Sequence, residues 1–295
     1  MFKRLRVKAE PPKPGLDLGE ISISQLIGDV SLPVTIKALN SLPENPKLRL
    51  YRTLIPIQVL AEFDINPRTW KNPDKLPQVR LDAEHGSDKV KITAWYGADP
   101  QNEFFYLELA DNQYNGIDLN FLIANNPLSE KYRTDYDDEG KETLFGTVRR
   151  NLVEEQRAMQ AGLAPGQIRE GLRCSNIVFN HIETFLTMMA HHAFFLEPLT
   201  YVSAWIFEKR GFAYSKGHQL MDTIQKEFQP GGELHKALDG STPFRQPDQW
   251  QTVRGRAWAI HDGILQVLDR KWDDLKMIKQ VGRQAGVNTF PNAEY

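Results

Sequence analysis

Histidine, arginine and carboxylate side chains are the groups in this chain that could move protons or hold an ion, and the histidines crowd its second half. Six of seven lie between residues 181 and 261: His181, His191, His192, His218, His235 and His261. Read as one continuous helix, the stretch puts His181, Phe185, Met188 and His192 on one face. The two end imidazoles are then roughly 16 Å apart, too far to share an ion. The HExxH and ExxH spacings of zinc and di-iron helices are absent. A metal centre would have to join different elements, for example His191 or His192 with Glu197, His261 or Asp262, a ligand set suited to zinc or ferrous iron. The simpler expectation is that these histidines cap polar networks or sit partly exposed.

A second concentration is "TPFRQPDQWQTVRGRAWAIHDGIL", residues 242 to 265, with Arg245, Arg254, Arg256, Trp250, Trp258, His261 and Asp262. Arginine clamps carboxylate or phosphate through paired hydrogen bonds, and large aromatics beside polar donors suit a ligand pocket. Neighbouring residues on a helix diverge, so Asp262 is not expected to orient His261. "GTVRR", residues 146 to 150, offers arginines at a helix start, where an anion could sit. The single cysteine, Cys174, excludes an internal disulfide or CxxC motif and reads as a small buried residue.

Composition bounds the partners. Thirty-six basic and 38 acidic residues leave a formal net charge of −2, so no global field favours nucleic acid or an acidic membrane. The hydrophobic and charged fractions, 41% and 25%, are those of a packed soluble domain. No stretch is apolar for long enough to span a bilayer and the first residues carry no signal-peptide core, so a cytoplasmic protein without membrane contact is expected. The basic cluster Lys3, Arg4, Arg6, Lys8 and Lys13 belongs to a proline-broken arm, residues 1–47, suited to completing a homo-oligomer; nucleic acid is not the expected partner.

The elements that must position these groups follow from periodicity. "LRLYRTLIPIQVLAEFDINP" is apolar, divided at Pro56 and ambiguous between helix and strand. Residues 78 to 124 alternate as three meandering strands, "KVKITAWYG", "EFFYLELAD" and "NGIDLNFLIANN". A helix is expected over 147–161 with Thr147 as cap and Gly162 as stop, a second over about 167–192, and a third at "HQLMDTIQKEF". "WAIHDGILQVL" predicts a last helix and "DDLKMIKQVG" a last strand. Strands first and helices later give an α+β fold: a mixed, largely antiparallel sheet flanked by helices over 48–215, with a helical elaboration and closing strand over 216–295 on the same body.

One local stretch carries a further signal. Phe207-Glu208-Lys209-Arg210-Gly211-Phe212 resembles the "YEKxGF" corner of the GNAT superfamily of acyl-CoA-dependent N-acyltransferases, with "AFFLEP" as strand, "LTYVSAWIFEKR" as helix and "GFAYSKG" as the next strand. The resemblance covers about 40 residues and implies a GNAT-like core, acetyl-CoA or another acyl-CoA as cofactor, and transfer to a small-molecule amine. It implies phosphate binding by main chain around Gly166, Gln167, Arg169 and Gly171, protonation of the leaving thiolate by Tyr201 or Tyr214, and a general base such as His192 or Glu197. Two departures stand against it. The family segment (Gln/Arg)-x-x-Gly-x-(Gly/Ala) is not matched by "GLAPGQIREGLR", and Phe207 replaces the tyrosine, which leaves no proton to donate there. The alternatives are a metal-dependent enzyme built on the histidines, or a binding or assembly protein that kept such a fold without its chemistry.

Overall fold

The structure, a computed structural model, describes residues 34–295 apart from 145 and 147. The basic cluster of the arm, and with it the expected role in assembly, lies outside the described residues. Within them the fold is α+β, a mostly antiparallel seven-stranded open sheet flanked by helices.

Two short helices open the described chain, α1 (Ile36–Asn40) and α2 (Glu44–Arg52), followed by α3 (Ile57–Glu62). The ambiguous apolar stretch is therefore helical, and Pro56 stands at the cap of α3, where its missing N–H costs nothing. Residue 47, the expected end of the arm, falls inside α2, whose Lys47, Leu50 and Tyr51 are buried. Asp111 accepts the amides of Ile36 and Lys37 at 2.7 and 2.9 Å and so caps α1 from 75 residues away.

The strands β1 (Val79–Asp82), β2 (Lys89–Trp95), β3 (Glu103–Asp111) and β4 (Ile117–Ala124) form an antiparallel meander. Four strands stand where three were expected, because "VRLD" is too short to show alternation yet pairs residue for residue with β2. After β4 come α4 (Leu152–Gln160), α5 (Ser175–Met188) and β5 (Ala193–Leu196), which lies parallel to β4. Then α6 (Tyr201–Lys209) leads to β6 (Ala213–Lys216), followed by α7 (His218–Glu227), α8 (Glu233–Lys236), α9 (Val253–His261) and β7 (Lys276–Gln280). The closing strand inserts between β5 and β6, antiparallel to both, giving the order β1-β2-β3-β4-β5-β7-β6.

Two expected helices are shorter than periodicity suggests. α4 begins at Leu152 behind an Asn151 cap, whose side chain accepts from Glu154. α5 begins at Ser175, not 167, because the preceding main chain bonds elsewhere: Glu170 and Ile168 accept from Asn126 and Tyr132, and Leu172 donates to Ala124. It ends at Met188, with Ala190 in the left-handed region (φ 59°) and the His191 amide turned back to Leu186. His192 therefore stands beyond the helix, and the shared face with His181 does not form.

Phe179 of α5, Phe194 of β5, Phe207 of α6 and Phe212 pack at centroid separations of 5.3 to 6.5 Å, edge to face except for the stacked Phe179–Phe194 and tilted Phe207–Phe212 pairs. Phe194 and Phe212 are fully buried, each contributing about 2 to 3 kcal/mol. This cluster ties both helices to β5 and to the chain entering β6.

Candidate functional site

The sheet changes character between β4 and β5. They share two register pairs, Ile117 with Phe194 and Asp118 with Phe195. Beyond these, β4 continues to Ala124 while β5 ends at Leu196 and pairs with β7 on its other side. The carboxyl ends of this parallel pair are thus not hydrogen-bonded to each other, and carboxyl ends of parallel strands are where open α/β sheets receive ligands. A bulge at Asn120, where β4 has one more residue than β3, adds local bending at the point of divergence.

The expected phosphate-binding residues lie along the strap that leads into α5. Gly166 takes a positive φ of 81°, Gln167 accepts the Ala164 amide through Oε1 at 2.8 Å, and Gly171 bridges Asn125 at the end of β4. The guanidinium of Arg169 donates to the carbonyls of Pro127 and Ser129 and to Asn102 Oδ1. These contacts tie the strap to β4. The nearest uncapped amides are those of the first turn of α5, since Cys174 provides no side-chain cap. Burial pushes the Cys174 thiol up to about 11, which keeps it protonated near neutral pH.

The four residues given catalytic roles are not brought together. His192 precedes β5 and Glu197 follows it, so they flank opposite ends of one strand; Glu197 is exposed, 3.6 Å from Lys276. Tyr214, on β6, donates to Glu208 Oε1 at 2.7 Å and stacks on His218. Tyr201, the first residue of α6, is buried against Trp272. Burial raises both phenols; beside Tyr214 the Glu208 charge adds to the rise, whereas beside Tyr201 the Arg256 charge opposes it.

The corner itself behaves as glycine chemistry requires. Thr200 and Ser203 close a capping box at the start of α6. Gly211 leaves the helix at φ 83°, and its amide and that of Phe212 return to Glu208 and Phe207. A Cβ there would meet Gln284 Oε1 at 2.0 Å and its Cα at 3.0 Å, so close approach as well as backbone sign demands glycine.

The histidines are dispersed. His181 Nδ1 and His191 Nε2 each lie 2.7 Å from a main-chain carbonyl, of Thr53 and Val34. His261 meets Glu155 at 3.1 Å, not Asp262, as divergence of adjacent helix residues predicts. Among the described residues no group of three or more His, Cys, Asp or Glu is placed to hold a metal ion. Asp262 instead accepts from Arg150, Arg245 and Thr242 at 2.7 to 2.9 Å, and Arg150 bridges it to Glu155. Burial pushes the Glu155 carboxyl up, but the hydrogen bonds and charges of His261 and Arg150 outweigh it and hold it below the usual range. The arginine-rich segment and "GTVRR" thus meet in one half-buried ion network.

Sequence reading missed a second network on α6. Glu208 accepts from Tyr214, from the Thr289 hydroxyl at 2.8 Å and from the Thr289 amide at 2.9 Å. Next to it Arg256, fully buried, donates to the Trp250 carbonyl and Gln225 and packs its guanidinium on Phe290 and Phe228. Desolvation lowers its pKa, with Tyr201 opposing. No local signal could have found these partners, which lie up to 81 residues apart.

Two surface hollows lie away from the diverging strands, one of about 470 Å³ over Met159, Thr242 and Gln246, the other of about 600 Å³ beside Asp64, Asn66 and Asn72. No helix among the described residues is long and apolar enough to cross a membrane. No family model, no curated protein and no solved structure matches the chain.

Proposed function

We propose that this chain is an acyl-CoA-dependent N-acyltransferase-like protein with a GNAT-like core, acting on an amine. The observation that carries the reading is the parallel pair β4 and β5, joined at one end and parted at the other, with α5 crossing between them. In this scheme the acyl thioester lies between the parted ends and its pyrophosphate meets the strap at Gly171 and the uncapped first turn of α5, where main-chain amides and the helix dipole favour an anion.

The bound amine attacks the thioester carbonyl directly and the thiolate leaves. Glu197 is the better placed base, since it follows the carboxyl end of β5 and is exposed, whereas His192 stands at the joined end. Of the two tyrosines, Tyr214 is the more accessible proton donor: it is half-buried on β6, whereas Tyr201 is sealed in the core against Trp272.

A binding protein on the same scaffold is favoured by one observation. Phe207 packs against Phe179 and Phe212, so an apolar ring occupies the place of the family's proton donor. Isothermal titration with acetyl-CoA, followed by a free-thiol assay over a panel of amines, separates the readings. Saturable binding with thiol release supports transfer, binding without release supports the second reading, and no binding at millimolar coenzyme sinks both.

A further inference from the structure

We infer that the surface around Trp205 and the carboxyl end of α6 carries a nucleotide site whose base-stacking position is filled by the chain's own Tyr295. A run of cations and rings crosses this surface. The Lys209 ammonium lies 5.3 Å over the Trp205 ring, Trp205 stacks on Tyr295 at 5.8 Å with 20° between planes, and the Arg254 guanidinium lies 4.6 Å over Tyr295. Arg173, exposed at the start of α5, is close enough for its charge to pull the Tyr295 phenol down, against the larger upward push of burial. Arg210 reaches the same helix start through a 2.9 Å bond to Ser175.

Two features distinguish this surface from an ordinary salt-bridged one. The cations rest on weak acceptors: Lys209 donates to the Asn288 amide, Arg210 to a hydroxyl, and Arg254 to the main-chain oxygens of Gly162 and Tyr295. A phosphate would therefore find positive charge that no side-chain carboxylate has taken up. Finally, Tyr295 is 46% exposed, so part of its ring is open to solvent. A purine offers a larger π-face to Trp205 and Arg254 than a phenol does, together with acceptor nitrogens, and its phosphates would extend toward Arg173 and Arg210.

This chemistry fits a free nucleotide and the nucleotide end of a coenzyme alike, and the inference stands whether or not the β4–β5 cleft transfers acyl groups. The probe is adenosine diphosphate, titrated against the whole chain with Trp fluorescence and calorimetry as readouts. Saturable binding is expected, weakened about tenfold or more by Trp205→Ala, and weakened with a smaller dependence on salt in the Arg173→Gln/Arg254→Gln double variant. Tyr295→Ala should tighten binding several-fold, because it vacates the stacking position. Absence of binding at millimolar diphosphate overturns the site, as does binding that none of these variants changes. If Trp205→Ala does not fold, the arginine double variant and Tyr295→Ala decide. Competition with acetyl-CoA, and its absence with acetyl-pantetheine, would identify the coenzyme as the source of the nucleotide. Diphosphate binding that acetyl-CoA leaves untouched would identify free nucleotide. Failure of acetyl-CoA with diphosphate binding intact removes the transferase reading alone.

Discussion

Around α6 the structure uses similar side chains to opposite ends on an inner and an outer face of the molecule. On the inner face Glu208, Tyr214 and Thr289 close a polar network in which both carboxylate oxygens are occupied, and Tyr201 and Arg256 are sealed beside it. On the outer face Lys209 is exposed and Trp205 and Arg210 are half-buried, and the two cations rest on an amide and a hydroxyl. A buried polar group without a partner costs about 1 to 3 kcal/mol, and that deficit falls on both faces, at Arg256 Nη2 within and at Trp205 Nε1 and Arg210 Nε without. What separates the faces is charge pairing and exposure: the inner carboxylate has both oxygens filled, whereas the outer cations have no side-chain carboxylate. Residue type alone therefore separates structure from function poorly.

The largest effect that tests this contrast is on the inner face. Glu208→Ala leaves the Tyr214 hydroxyl and both Thr289 donors without an acceptor, and is expected to lower stability by about 3 kcal/mol or more in urea denaturation. A loss under about 1 kcal/mol would mean the network is not closed as described.

Alkaline pH gives the next effect. The folded-state pKa of Tyr214 is raised above that of the unfolded chain, by burial first and then by Glu208. Its contribution is whole below the unfolded value of about 10 and is lost as pH rises beyond it, because the unfolded chain releases the proton first. Thermal melts between pH 8 and 11 should fall more steeply above about pH 10 for the wild type than for Tyr214→Phe. Parallel curves would dissociate Tyr214 from this dependence. At neutral pH Tyr214→Phe should cost only about 1 kcal/mol, since Thr289 still donates to both oxygens of Glu208.

The smallest effect belongs to the outer face. Arg173→Gln is expected to change stability by no more than about 0.5 kcal/mol while weakening diphosphate binding. A stability loss as large as that of Glu208→Ala would make Arg173 a structural residue and erase the difference between the faces.

Much of the scaffold was legible from local pattern. The meander, the strand, helix and strand around Gly211 and the closing strand all follow from alternation, capping residues and glycine. The limits of α4 and α5 were not, because main chain that would otherwise extend α5 pairs with β4 and the 126–132 loop instead. The candidate sites were less legible still. Tyr201, Tyr214, His192 and Glu197 are near neighbours in sequence, yet β5 separates the last two, α6 turns Tyr201 into the core, and Tyr214 on β6 is held by Glu208.

By itself, then, the sequence determined what depends on neighbours along the chain: periodicity, caps, the left-handed exit at Gly211, and a composition that folds around an apolar core. Only the tertiary structure decided which charges meet. The farthest partners of Glu208, Asp262 and Trp205 lie 81, 112 and 90 residues away, and hydrogen bonds, ion pairs and ring contacts act over a few ångströms of space, whatever the length of chain between them.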